Sequence, residues 1–332
     1  MAELRWNPMI KDWVMVISNR NKRPNMPKDY CPFCPGSGKV PDDYTVLKYD
    51  NDFPALSLSP AEPDRPMTDS AAGLYDVAPA YGKCEVVLFS PEHNGTLYGL
   101  SREHMRQVVD LWQERFDALS ADPKVKYVFI FENRGEEVGV SQPHPHGQIY
   151  AYPYVPKKIK LELSSAKEYK EEHGKCLFCA MNAEESAFGE RVICENDGFI
   201  AYIPFFSEYA YGVHISAKMH ITNIGQLDGK GKDDLGDIIQ MITGMYDCLF
   251  DTRFPYMMCM HNAPVNGGDV SGSYHFHIEM ITAMRGAHVQ QFRASSESGA
   301  WACCNPTSPE KNAQQMREAL DKYLSRREEN KR

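Results

Sequence analysis

The chain has 332 residues, 42% of them hydrophobic and 24% charged, with a formal net charge of −9, which suits one large buried core or two of about 150 residues each and excludes a disordered polypeptide. No stretch approaches the roughly 18 apolar residues of a membrane span, and Lys and Arg gather on no one segment, so neither a membrane protein nor a general nucleic-acid binder is expected. The opening MAELRWNPMIKDW lacks the pattern of an export signal, so a cytoplasmic location is expected, and the ten cysteines are read as ligands, reactive thiols or packing groups rather than disulfides.

In chain order, the same series of signals runs twice. CPFC at 31–34 is followed by NDF at 51–53, YGKCEVVLFSPEH ending at His93, a helix, YVFIFEN at 127–133 and the HPHGQ segment. CLFC at 176–179 is followed by NDGF at 196–199, YGVHISAKMH ending at His220, a helix, YMMCMHN at 256–262 and YHFHIEM at 274–280. Two diverged copies of one α+β module, each an antiparallel sheet with packed helices, account for this order. The expected division is 1–165 and 166–332.

Apolar residues at three-and-four spacing mark the two helices: Met105, Val108, Val109, Trp112, Phe116 and Leu119, then Leu235, Ile238, Ile239, Ile242, Met245 and Leu249. Segments 84–90, 127–132, 147–153, 199–203 and 256–261 are short and rich in Val, Ile, Tyr and Phe, and read as strands. Phe276, Ile278 and Met280 alternate with His275, His277 and Glu279, giving one apolar and one imidazole-bearing face. A last helix is expected from Ser308, with Pro309 at its first position, and segments 60–80 and 225–233 read as surface loops.

A CxxC pair followed by two distant histidines supplies the two thiolates and two imidazoles of a closed, structural zinc site. Cys31, Cys34, His93 and His144 form the first expected set, and Cys176, Cys179, His220 and His275 the second. Glu162, His261 and His277 compete for the second position with a carboxylate–imidazole set better suited to iron or another divalent ion. Cys84, Cys194, Cys248, Cys259, Cys303 and Cys304 show no ligand spacing and are read as packing groups.

With His144 on a metal, His146 lies on the same face about 7 Å away, outside the ligand set. Pro145 fixes the local backbone, Gly147 admits a bulky group and Gln148 offers an uncharged donor and acceptor, surroundings that suit a nucleophilic imidazole. The competing reading of His146 is a satisfied core histidine.

GVSQPHPHGQIY at 139–150, with FEN at 131–133, closely resembles the active-site segment of the galactose-1-phosphate uridylyltransferases, the transferase branch of the histidine-triad superfamily. The likeness extends from NPMIKDWVMVISNRNKRP through CPFC, NDFPAL, SPEH and HNAPVN to HFH. Hydrolases of the superfamily carry a histidine where this chain has Gln148. The resemblance implies two histidine-triad-like modules in which His146 attacks the α-phosphorus of UDP-glucose, and galactose 1-phosphate then takes the uridylyl group. It implies roles for Gln148 and Ser141 at the phosphoryl oxygens, for Asn51, Asp52 and Phe53 at the uridine, for Arg20, Arg23, Asn133 and Gly139 near phosphates, and for Glu297 in hexose-phosphate recognition. A homodimer with sites shared between subunits is implied as well.

Two departures from the family pattern stand out. Members with iron match Glu162, His261, His275 and His277 but lack CLFC, whereas adenylyl-transferring and phosphorylase relatives carry a second CxxC and bind zinc twice. In QQFRASSESGAW the family's lysine is replaced by Gln291 while Glu297 is retained. The expected cofactors are therefore two zinc ions, with iron an alternative at the second site. An ADP-glucose phosphorylase or adenylyltransferase is the alternative activity, and a non-catalytic two-zinc scaffold or a histidine-triad hydrolase are readings of other classes.

Overall fold

The computed structural model describes residues 2–18, 30–63 and 74–329. In chain order its elements are β1 (Ala2–Asn7), β2 (Asp12–Ile17), β3 (Leu47–Asp50), β4 (Val77–Pro79), β5 (Lys83–Leu88), α1 (Arg102–Ser120), β6 (Tyr127–Arg134) and β7 (His146–Tyr152). There follow α2 (Lys157–His173), α3 (Leu177–Phe188), β8 (Val192–Glu195), β9 (Phe199–Tyr202), β10 (Val213–Ala217), α4 (Gly229–Leu249), β11 (Tyr256–His261), β12 (His277–Thr282), β13 (Met284–Gly286), β14 (Val289–Gln290) and α5 (Pro309–Glu329).

One nine-stranded sheet, ordered β3-β5-β7-β6-β11-β12-β10-β9-β8, dominates, and its order reads almost the same from either end. Every pairing in it is antiparallel. Gln148 lies opposite Phe131 and Glu279 opposite Cys259, while at the seam between the halves Phe131 itself pairs with Cys259. The internal two-fold therefore passes through that last pair. It makes Asn133 the equivalent of His261, one residue off from the correspondence that YVFIFEN and YMMCMHN suggest when their tyrosines are aligned.

Alternation divides the sheet into two faces. Val87, Val128, Ile130, Ile149, Ile215, Met258, Met260 and Ile278 point toward the helices, where they form one core with Trp112 and Phe116 of α1, Ile239 and Met245 of α4, and Met316 and Tyr323 of α5. All six apolar residues expected on α1 are buried there. In α4 the same holds for Leu235, Ile238, Ile239, Ile242 and Met245, while Leu249 is only partly buried. The opposite face carries α2, α3, the cysteine loops and every imidazole singled out from the sequence.

Three expectations change. The 225–233 loop is mostly helix, because Asp228 caps α4 by accepting from the Gly231 N–H at 2.7 Å. Part of the 60–80 loop is strand β4, which pairs with β1. Cys303 and Cys304 are exposed rather than packed, whereas Cys84 and Cys248 are buried.

Candidate active site

The first cysteine loop brings Cys31 and Cys34 against His93, which follows β5, and His144, which precedes β7. Cys34 Sγ lies 3.3 Å from His93 Nδ1 and 3.6 Å from His144 Nδ1, and Cys31 Sγ is also 3.6 Å from His144 Nδ1. Zinc–sulfur and zinc–nitrogen bonds of about 2.3 and 2.0 Å at tetrahedral angles give an S···N edge near 3.5 Å, so the donors sit at ligand spacing. His144 Nε2 donates to the Ser90 carbonyl at 2.8 Å, which leaves the lone pair on Nδ1, facing the thiols. Burial, with His93 and His146 adding to it, lowers the His144 imidazole to about 4 and so favours the neutral, ligating form. Burial and the neighbouring Cys31 thiol push Cys34 up to about 11, a cost that a cation between the sulfurs removes.

The second set repeats this arrangement. Cys179 Sγ is 3.3 Å from His220 Nδ1 and 3.5 Å from His275 Nδ1, and Cys176 joins them within the same 4.8 Å spread. His220 Nε2 donates to Ser271 O at 2.6 Å and His275 Nε2 to Ala217 O at 2.7 Å. Both sets fit tetrahedral zinc by donor type and distance, and His144, His220 and His275 also by tautomer.

His146 opens β7, and its Nδ1–H donates to the His144 carbonyl at 2.8 Å. The lone pair then belongs to Nε2. The ring lines a cavity of about 260 Å³ together with Gln148, Ser141, Asn51, Asp52 and Phe53, so six of the residues expected from the sequence converge on one space. Phe33, from the CPFC loop, tilts over His146 with ring centroids 5.7 Å apart. Asp52 is held by Tyr49 Oη and Lys39 Nζ, each at 2.8 Å, and the Asn51 side chain accepts from the Phe53 N–H at 2.9 Å, fixing the turn that presents the Phe53 ring. Asn133 meets His146 in an adjoining cleft with Arg253.

The remaining expected residues lie elsewhere. Gly139 has a left-handed backbone (φ 80°) at the end of the 136–138 turn. Glu297 sits on an exposed turn at 295–299, where its carboxylate accepts from the Ala294 N–H at 3.2 Å, and it does not line the His146 cavity. Arg20 and Arg23 lie outside the described residues.

Glu162, His261 and His277 do meet, but not with His275, whose two ring nitrogens face Cys179 and Ala217 O. Their fourth member is Glu279. His261 Nδ1 is 3.0 Å from Glu162, Tyr274 Oη donates to Glu162 at 2.8 Å, and Lys158 Nζ contacts Glu279. Burial alone would raise the Glu162 carboxyl, but His261 and His277 outweigh it and hold it near 2. A second cavity of about 310 Å³ adjoins the cluster, walled by Phe178, Met181 and Phe206.

The sequence reading passed over Tyr44, whose hydroxyl donates to Phe33 O at 2.8 Å and lies 3.3 Å from His144 Nε2, and also Lys39, Tyr49, Lys158 and Glu279. Only Glu279 carried a usable signal: two residues past His277, it holds the place that Gln148 holds after His146.

A continuous antiparallel sheet built from two modules related by an internal two-fold, with an imidazole beside a cysteine–histidine set, defines a duplicated α+β protein with its candidate site in the first module. Family models for the N-terminal and C-terminal domains of galactose-1-phosphate uridyl transferase match residues 1–156 and 162–325. The galactose-1-phosphate uridylyltransferase of Thermotoga maritima is 39% identical over 319 residues, covering 96% of this chain and 98% of that protein. That of Saccharomyces cerevisiae is 32% identical, with 88% of each covered. A solved uridylyltransferase superposes with a TM-score of 0.87 at 29% identity, covering 97% of this chain and 99% of that one. An ADP-glucose phosphorylase from Arabidopsis thaliana gives 0.74 at 25%, covering 96% and 99%. The chain belongs to the galactose-1-phosphate uridylyltransferase family.

Proposed function

We propose that this chain transfers the uridylyl group of UDP-glucose to galactose 1-phosphate through a covalent uridylyl-histidine on His146. The observation that carries the reading is the hydrogen bond from His146 Nδ1 to His144 O, which puts the Nε2 lone pair on a ring lining the same cavity as Gln148. Nε2 attacks the α-phosphorus, an N–P bond forms and the P–O bond to glucose 1-phosphate breaks. The leaving group departs as a phosphate oxyanion and needs no proton. A phosphate oxygen of galactose 1-phosphate then attacks the same phosphorus, and the electron pair returns to Nε2.

Gln148 and Ser141 hydrogen-bond the non-bridging oxygens as charge moves onto them, and Gln148 adds no negative charge of its own. Asn51, Asp52 and Phe53 hold the uridine, with Arg20, Arg23, Asn133 and Gly139 toward the phosphates. Zinc held by Cys31, Cys34, His93 and His144 and by Cys176, Cys179, His220 and His275 cross-links loops to strands, and the first site fixes the carbonyl that clamps His146. The two modules are taken as 1–165 and 166–332.

Because Glu297 lies outside the His146 cavity, its role at the hexose phosphate requires a homodimer in which the partner's 291–301 segment completes the site. Phe292 and Trp301, 73% and 58% exposed, give that segment apolar surface to cover. Gln291 accepts from the Ala210 N–H at 2.9 Å and donates to Glu208 O, anchoring the segment where the family's lysine would stand. Among the described residues no helix is long and apolar enough to cross a membrane, and a cytoplasmic enzyme is the reading we adopt.

Incubation with UDP-glucose alone tests the mechanism. The expected result is release of glucose 1-phosphate and an acid-labile uridylyl adduct on His146, with His146→Asn lacking both. Transfer without an adduct, or an adduct elsewhere, overturns it. Equal turnover with ADP-glucose would favour the phosphorylase reading, and a monomer by light scattering would overturn the shared site.

A further inference from the structure

In the second module the iron alternative does not fit. Of the four residues it would use, His275 is committed: Nδ1 lies 3.5 Å from Cys179 Sγ, and Nε2 donates to Ala217 O at 2.7 Å. What remains is a separate set, Glu162, His261, His277 and Glu279, whose ligand atoms lie within 4.8 Å of one another. Two carboxylates and two imidazoles at that spacing would suit a divalent ion.

The two carboxylates of this set already have partners. One face of α2 delivers both Lys158 and Glu162, four residues apart, over the β11–β12 pair. Lys158 Nζ contacts Glu279 Oε2, and His214 Nε2 lies 3.6 Å from Glu279 Oε1. On Glu162, Oε2 accepts from Tyr274 Oη at 2.8 Å and Oε1 lies 3.0 Å from His261 Nδ1. His277 Nδ1 donates to His275 O at 2.9 Å. A divalent ion placed here would have to displace an ammonium already paired with one of its carboxylates, against the repulsion between the two cations.

We infer that the Lys158 ammonium is a built-in cation that takes the place of a divalent metal ion in the Glu162–His261–His277–Glu279 cluster. The module is thereby a latent metal site closed by its own lysine. The inference does not depend on the reading of His146, and its test does not use activity.

The test uses full-length, zinc-loaded protein exposed to Mn²⁺ and then desalted, with metal content read by mass spectrometry and binding checked by thermal shift. Lys158 is 54% exposed, so Lys158→Met leaves the core untouched. Wild type is expected to keep two zinc ions and take up no manganese. Lys158→Met should take up about one equivalent and gain thermal stability with added Mn²⁺, Lys158→Arg should take up none, and Lys158→Met/Glu279→Gln should lose the gained site. Iron or a third ion in the wild type, or a Lys158→Met protein that binds no manganese, overturns the inference. Should Lys158→Met not fold, Lys158→Gln decides by the same uptake.

Discussion

Replacing Gly147 with alanine tests how tightly His146, the proposed nucleophile, is positioned. The residue lies between His146 and Gln148 on β7, and its missing side chain points to the helix face. An alanine Cβ there would come 2.8 Å from Phe89 Cζ, 3.3 Å from Phe89 Cε1 and 3.0 Å from the Phe131 carbonyl oxygen. Carbon–carbon contacts settle near 3.5–4.0 Å, so something must move by about 0.7 Å. Phe89 is 1% exposed and stands edge-on to buried Trp112 at 5.8 Å, and the Phe131 carbonyl belongs to the neighbouring strand. Neither neighbour can swing away, so β7 gives. Overpacking of this kind costs about 1–3 kcal/mol. The strand carries His146 and Gln148 with it, and since a misplacement of about 1 Å costs on the order of 100-fold, the first half-reaction should slow by about 10- to 100-fold. Single-turnover release of glucose 1-phosphate and a thermal melt measure the two effects. Gly268→Ala, where nothing lies within 4 Å, is the control and should match the parent in both. A Gly147→Ala protein with the control's melting temperature and rate would refute the packing argument.

Three further outcomes follow from single contacts. Cys31→Ser and Cys176→Ser should each lose one zinc ion by elemental analysis and lower stability more than they lower any residual transfer, since closed sites act through folding; unchanged metal content would remove the assignment. Arg134→Met takes from part-buried Asp247 its two guanidinium donors at 2.6 and 2.7 Å, leaving it those of Tyr98 Oη and the Phe254 N–H, and should cost about 1.5–3 kcal/mol in denaturant unfolding, with no measurable loss contradicting it. Burial pushes the Glu132 carboxyl from 4.5 up to about 7 against the pull of Arg134 and Tyr256. Between those pH values the folded protein keeps a proton that the unfolded chain has released, so this contribution to stability falls as pH rises, reaching a cost of about 3 kcal/mol above pH 7. Glu132→Gln should therefore stabilise at pH 8 and be near neutral at pH 4.5, and an equal effect at both would count against it.

The parts of the fold legible in the sequence were those with a strong period or a repeated spacing. The α1 stripe and the twice-repeated Cys, Cys, His, His order each place several residues at once, and both metal sets assemble as that order implies. Helix α2 left no such mark because only Ile159 and Ala166 of its seventeen residues are buried; it covers a polar cluster, so its charged residues point inward as well as out. Glu279 was visible on the imidazole face, but its partner Lys158 comes from 121 residues away, and no local pattern joins them. The one-residue offset between β6 and β11 has the same origin, since strand register is set by cross-strand pairing that a string comparison of FEN with MHN does not sense. Glu297 illustrates a different boundary, because on the proposed reading it completes the site of a second subunit and has no reason to lie near His146 in one chain.

On the reading proposed for His146, few side chains separate a catalytic imidazole from a structural one. His146 and His277 are held alike, each by a hydrogen bond from Nδ1 to the carbonyl of a cysteine-facing histidine two residues before, at 2.8 and 2.9 Å. Phe33 and Phe178, from the two CxxC loops, lie over them, Phe33 tilted at 5.7 Å and Phe178 stacked at 4.7 Å. What differs is the ring of neighbours. Val86 opposite Gln148 becomes His214 opposite Glu279, and Asn133 becomes His261. Attack on the α-phosphorus of a phosphoanhydride places negative charge on oxygens beside the imidazole, to which Gln148 can donate an amide N–H and which Glu279 can only repel. Once a carboxylate stands there, Lys158 pairs with it, and His214 and His261 lie 3.6 and 3.8 Å away. The asymmetry we propose between the halves therefore rests on one amide-to-carboxylate difference and the charges around it, on strands paired in the same register in both halves.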